Sequence, residues 1–189
     1  YVIEYKLGSG SWTAYSSALT VSENNTVVTA RLYNSSVNDE VSVSSKTIAN
    51  IDKVAPVTPT SVSITVGTNS VTATATGSSD TLSGLSKYQY SLNNSTWQDS
   101  GTFSGIKSGT QTTVYARAVD KVGNVSGSIS NKGTTSSIGA VTITQSPAAG
   151  TWTNGNVTVT LSHAAVSGYT LQYKIDSGAW TTYSSALTI

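Results

Sequence analysis

Three stretches of this chain run into a tryptophan in the same way: "EYKLGSGSW" at Trp12, "QYSLNNSTW" at Trp97 and "QYKIDSGAW" at Trp180. They lie 85 and 83 residues apart. A unit of that length is too long for a solenoid repeat, which leans on its neighbours, but suits a small β-sandwich that closes its own core. The match continues past the tryptophan, since "SWTAYSSALTV" (11–21) returns as "AWTTYSSALTI" (179–189). The chain therefore reads as a tandem array.

Period-two patterning within the repeats predicts strands with one buried face. Ile3, Tyr5 and Leu7 match Tyr88, Tyr90 and Leu92, then Leu171, Tyr173 and Ile175, and all are expected to point inward. "TVVTARLYN" (26–34) likewise matches "QTTVYARAVDKVGN" (111–124). Val28, Ala30 and Leu32, like Val114, Ala116 and Ala118, should face the core, with Arg31 and Arg117 on the other side. A slip of one residue would turn each set outward, so register should be firm.

The middle copy is the complete one. Strands are predicted near 60–66, 69–76, 85–92, 96–99, 102–106, 111–119 and 124–131, with Gly, Asn, Asp and Ser turns between them. The expected fold class is all-β: tandem Greek-key β-sandwiches, one whole and two partial. Residues 1–50 are read as the C-terminal half of a repeat and 51–59 as a linker stiffened by Pro56 and Pro59. Residues 60–131 form the complete repeat, 132–139 a second linker, and 140–189 the N-terminal half of another repeat. Two half-sandwiches imply a segment of a longer repetitive polypeptide, or strand exchange between chains.

Composition narrows the function. Charged residues are only 10% of the chain and the formal net charge is +1, so neither nucleic acid nor an acidic membrane surface is an expected partner. No apolar run approaches the roughly 20 residues that cross a bilayer, so direct membrane insertion of this segment is not expected. There is no cysteine, which removes disulfides and thiolate metal sites.

Candidate chemistry is sparse. His163 is the only histidine, and no Gly-x-Ser-x-Gly elbow accompanies it. Asp39 and Glu40 are sequence neighbours on a strand, so they should point apart instead of acting as an acid/base pair. Asp80 in "GSSDTLSG" and Asp120 in "DKVGN" are oxygen-rich loop acids, but calcium takes six to eight oxygens and neither loop alone offers a cluster. Lys6 and Lys174 fall on the outward face, where a crosslink to a buried Asn is not expected. No catalytic, cofactor or metal residues are assigned, and no cofactor is expected. The recurring tryptophans read as packing residues. Trp152 has no counterpart in the middle copy, so it stands with Tyr15 and Tyr183 as a possible contact to a glycan or protein.

The combination "APVTPTSVSITV…YQYSLNNSTW…VYARAVDKVGNVS" resembles the immunoglobulin-like and fibronectin type III-like repeats of bacterial surface and secreted proteins and phage virions. "NIDKVAP" is similar to their inter-repeat junction, and "GTWTNGNVTVTLS" (150–162) to their opening strands. "ARLYNSSVNDEVS" (30–42) departs from the pattern, because the Asp-x-x-Gly-Asn turn is lost there. The resemblance implies a non-enzymatic spacer at a cell surface or outside the cell, with neighbouring repeats as its partners. The alternatives are an adhesive or carbohydrate-binding module, one accessory to a secreted hydrolase included, and an appendage on a virion surface.

Overall fold

The computed structural model describes residues 1–189, and the chain divides into two compact units, Tyr1–Thr135 and Ser136–Ile189. Every regular element is a strand.

The first unit opens with an antiparallel sheet of β1 (Val2–Leu7), β2 (Thr13–Ala14), β3 (Thr26–Asn34) and β4 (Asp39–Ile48), in the order β2-β1-β3-β4. The matched residues pair as expected, with Tyr5 opposite Ala30 and Ile3 opposite Leu32. No second sheet covers this one, so Ile3 and Leu7 stay exposed and Val28, Ala30 and Leu32 only half-buried.

The segment after β4 has no strand, yet it is held at several points. The Ile51 N–H donates to Asn24 Oδ1 at 3.3 Å, and the Val57 N–H donates to the Ser79 carbonyl at 2.8 Å. Pro56 and Pro59 are both buried against the repeat that follows. Neither proline has an N–H, so burying them strands no donor.

The complete repeat contains β5 (Ser61–Val66), β6 (Ser70–Thr76), β7 (Leu85–Ser91), β8 (Thr102–Ser104), β9 (Gln111–Asp120) and β10 (Val125–Thr134). They form two three-stranded sheets, β5-β6-β8 and β10-β9-β7. The expected strand at 96–99 is reduced to one bridge between Tyr90 and Gln98. The cause is Asn93, whose Oδ1 accepts the N–H groups of Ser95 and Thr96 and holds the approach to Trp97 in a turn. Leu92 is a second correction. The chain leaves the strand at Ser91, and Leu92 is 41% exposed instead of pointing inward.

Alternate residues of the two sheets meet in the core: Val62, Val71, Ala73 and Ala75 from one, Tyr90, Val114 and Ala116 from the other. Small alanines on facing strands let the sheets close around the Tyr90 ring, with Tyr88 and Phe103 packed at its margins. The Tyr90 hydroxyl crosses the core and accepts the Ala75 N–H at 3.1 Å. That donor lies past the end of β8 and would otherwise be an orphan. Strands β5 and β10 lie side by side in the same direction. Gly127 sits by Thr58, Asn131 Nδ2 donates to the Val62 carbonyl at 2.7 Å, and Gly133 lies beneath Ile64. A Cβ on Gly133 would come within 2.4 Å of Ile64 Cγ2, so the close approach requires glycine.

The second unit has β11 (Thr142–Ser146), β12 (Thr158–Ser162), β13 (Gln172–Tyr173), β14 (Thr181–Thr182) and β15 (Leu187–Thr188). They make a three-stranded sheet, β11-β12-β15, and a small ribbon, β13-β14. Val141, Ile143, Val159, Leu161, Tyr173 and Trp180 line an open apolar cleft of about 360 Å³. Leu161 is the one buried hydrophobic residue of this unit.

Candidate cation site

Three loops meet where the complete repeat begins. Asp52 comes from the segment before β5, Asp80 from the β6–β7 loop and Asp120 from the end of β9. One carboxylate oxygen from each lies within 4.8 Å of the other two.

Each carboxylate is oriented by N–H donors of its own loop or its neighbour's. Asp52 accepts from the Val54 and Ser83 N–H groups, both at 2.9 Å. Asp80 Oδ1 accepts from Leu82 at 3.1 Å and Gly84 at 2.7 Å. Gly84, at φ +87°, makes the turn that brings its N–H round to the carboxylate. Asp120 Oδ1 takes three N–H groups, from Val122, Gly123 and Asn124, and its Oδ2 takes Asn124 Nδ2 at 2.7 Å. Asn124 Nδ2 also reaches the Asp52 carbonyl at 3.3 Å, so the turn after β9 grips the chain before β5.

These contacts favour the ionised form of Asp52 and Asp120. The Ser83 hydroxyl and then the Val54 N–H hold the Asp52 carboxyl below the usual aspartate range. Asp120 is only 2% exposed, and burial pushes its carboxyl up, but the Asn124 side chain and the three loop N–H groups outweigh that and bring it below the ordinary value. No ion pair balances the charge. Arg31 pairs with Glu4 and Glu40, Lys53 with Glu23 and Lys87 with Asp99. The Lys121 ammonium lies over Gly84 without pairing to any carboxylate. An all-oxygen constellation of this kind has the donors that hard divalent cations take.

Asp80 and Asp120 offer no cluster within their own loops, and in the sequence they are 40 residues apart. The fold brings the two together and adds Asp52, which the sequence reading did not place with them. The available signal was its place in "NIDKVAP", immediately before the first strand of the repeat.

Elsewhere, chemistry does not assemble. The ring nitrogens of His163 contact the Ala164 and Gly139 carbonyls, and neither touches a serine or a carboxylate. Asp39 accepts the Tyr1 hydroxyl while Glu40 turns to Arg31, so the two acids are engaged separately.

Each recurring tryptophan lies under a cationic side chain. The Arg31 guanidinium sits 4.1 Å from the Trp12 ring and that of Arg117 sits 4.3 Å from the Trp97 ring. The Lys174 ammonium is 5.5 Å from Trp180. In the two copies where the arginine is present, it also bonds a side chain on the neighbouring strand, Glu4 or Gln89. Trp152 is 98% exposed. Tyr15 packs edge-on to Tyr5, and Tyr183 packs edge-on to Tyr173 while its hydroxyl accepts the Leu161 N–H.

No protein-family model and no curated protein matches this chain. Among solved structures, it is similar to chitinase ChiA74 from Bacillus thuringiensis, at 21% identity and a TM-score of 0.37. The match covers 59% of this chain and 18% of the chitinase.

Proposed function

We propose that this chain is a non-catalytic spacer, built from β-sandwich repeats of the immunoglobulin-like or fibronectin type III-like kind in an extracellular or surface-displayed protein. The observation that carries this reading is the junction before β5. Asn24 on one side, and Ser79, Ser83 and Asn124 on the other, bond the backbone or Asp side chain of residues 51–57, and two prolines are buried there. A connection bonded to both neighbours sets the distance and angle between them. A merely tethering linker has no need of such contacts.

Small-angle X-ray scattering on the full chain tests the idea. In fits that leave residues 136–189 free to move, the 1–135 portion should be described by one conformation of fixed length. Replacing Pro56 and Pro59 by glycine should broaden the distribution toward shorter distances. A wild-type profile that already requires a wide ensemble removes the spacer reading.

A second reading, an adhesive or carbohydrate-binding module, draws on Trp152 and on Trp180, which is 64% exposed beside the apolar cleft. Exposed indoles stack on sugar faces. Binding on a glycan array that disappears in Trp152→Ala or Trp180→Ala favours this reading, and an empty array counts against it.

A further inference from the structure

The aspartates at the start of the complete repeat leave one feature unexplained by protein contacts alone. Ser83 Oγ is fully shielded from solvent and has no hydrogen-bond partner. Its backbone N–H is bonded to Asp52 Oδ2, and its hydroxyl lies beside that same carboxylate, at the edge of the aspartate cluster. A hydroxyl shielded in this position forfeits its bonds to water without a well-formed protein hydrogen bond to replace them. Both N–H groups that Asp80 accepts fall on its Oδ1, which leaves Oδ2 free of protein donors, and no side-chain cation pairs with the three carboxylates. An ion among them would use each of these unspent lone pairs.

We infer that Asp52, Asp80, Asp120 and Ser83 bind one calcium ion. All the donors are oxygens, which excludes the nitrogen and sulfur sets that zinc favours. The donors come from three separate segments of irregular chain, a geometry calcium tolerates through its flexible coordination of six to eight oxygens. Magnesium demands near-ideal octahedral geometry and is held through one or two carboxylates. Water and loop carbonyls complete the calcium shell. The ion ties residue 52 to two loops of the repeat, so binding fastens the junction as well as the loops. The site stands on its own donors, whether or not the chain is a spacer.

The test uses the full chain, stripped with EGTA and titrated with calcium chloride. Calorimetry should show one site. A calcium concentration about a hundredfold above the dissociation constant should raise the melting midpoint by about 5–10 °C. Asp80→Asn keeps the Oδ1 acceptor for Leu82 and Gly84 but removes the charge. In EGTA its midpoint should equal or exceed that of the wild type, because one like-charge repulsion is gone. Its calcium affinity should fall by about 10–100-fold. Should that variant fail to fold, Ser83→Ala serves instead, since it removes only the shielded hydroxyl and should weaken calcium several-fold. No calcium-dependent heat or midpoint shift overturns the assignment. So does a shift that survives undiminished in Asp80→Asn and Ser83→Ala, or an equal response to magnesium.

Discussion

Strands β6 and β12 are the same element in two settings. Both pair with the strand before them in an antiparallel hairpin of several residues, β6 with β5 and β12 with β11. In β6 every inward residue, Val71, Ala73 and Ala75, is buried. In β12, Val159 remains half-exposed and only Leu161 is buried. The difference lies outside the strands. The complete repeat lays β9 and β7 across the first sheet, whereas the second unit offers only the two-residue ribbon β13-β14. Hairpin formation is thus a local property of sequence, and burial is conferred by the opposite sheet.

Truncating the central aromatic gives the sharpest way to break this comparison. Tyr90→Ala should cost the complete repeat about 3–5 kcal/mol, because it empties the core and orphans the Ala75 N–H. The equivalent Tyr173→Ala should cost the second unit less than half as much. Urea unfolding of versions that keep only Trp97 or only Trp180, the other tryptophans replaced by phenylalanine, separates the two by fluorescence.

Next in size is Gly133→Ala, where the new methyl meets Ile64. It should destabilise the complete repeat by about 1–3 kcal/mol. A Cβ on Gly139 has open space around it. Gly139→Ala should therefore stay within about 0.5 kcal/mol in the same assay.

Acid should also act unequally. Asp52, Asp99 and Asp120 have carboxyls held below the usual aspartate range when folded. Their contribution is fully present above the unfolded value of about 3.9 and fades as pH falls through the lower folded values. The complete repeat should lose a few degrees of melting midpoint as the solution is acidified below about pH 4. The second unit, which contains none of these three groups, should change less. Thermal scans across an acid series by circular dichroism measure this.

The smallest effect belongs to the outer face. Arg117→Met should cost about 0.5–1 kcal/mol by removing the cation over Trp97. Lys174→Met should cost less, since that ammonium is farther from a more exposed ring.

Much of the complete repeat was legible because its alternation is strict. Val114, Ala116 and Ala118 fall on every second position, and all three are buried. Leu92 and the 96–99 segment were misread because hydrophobic spacing carries no record of Asn93, whose side chain ends the pattern by bonding backbone. The aspartate constellation was illegible for a different reason. Asp52, Asp80 and Asp120 are 28 and 40 residues apart, and only the return of β6, β7 and β9 to the same end of the sandwich brings them together. The arginines were placed correctly on the outer face, but their stacking on tryptophan depends on side-chain reach, which periodicity does not encode.

Strands β5 and β10, the first and last of the complete repeat, run in the same direction along one another. When the chain is put under tension, load enters at the start of one and leaves at the end of the other. Such a load would draw the two strands lengthwise past each other, and the Asn131–Val62 hydrogen bond and the Ile64–Gly133 packing would be strained together. A hairpin peeled from its open end would surrender those contacts one at a time, at a far lower force. A module loaded in this way should yield abruptly, as a mechanical fuse does, and single-molecule stretching should record a discrete step.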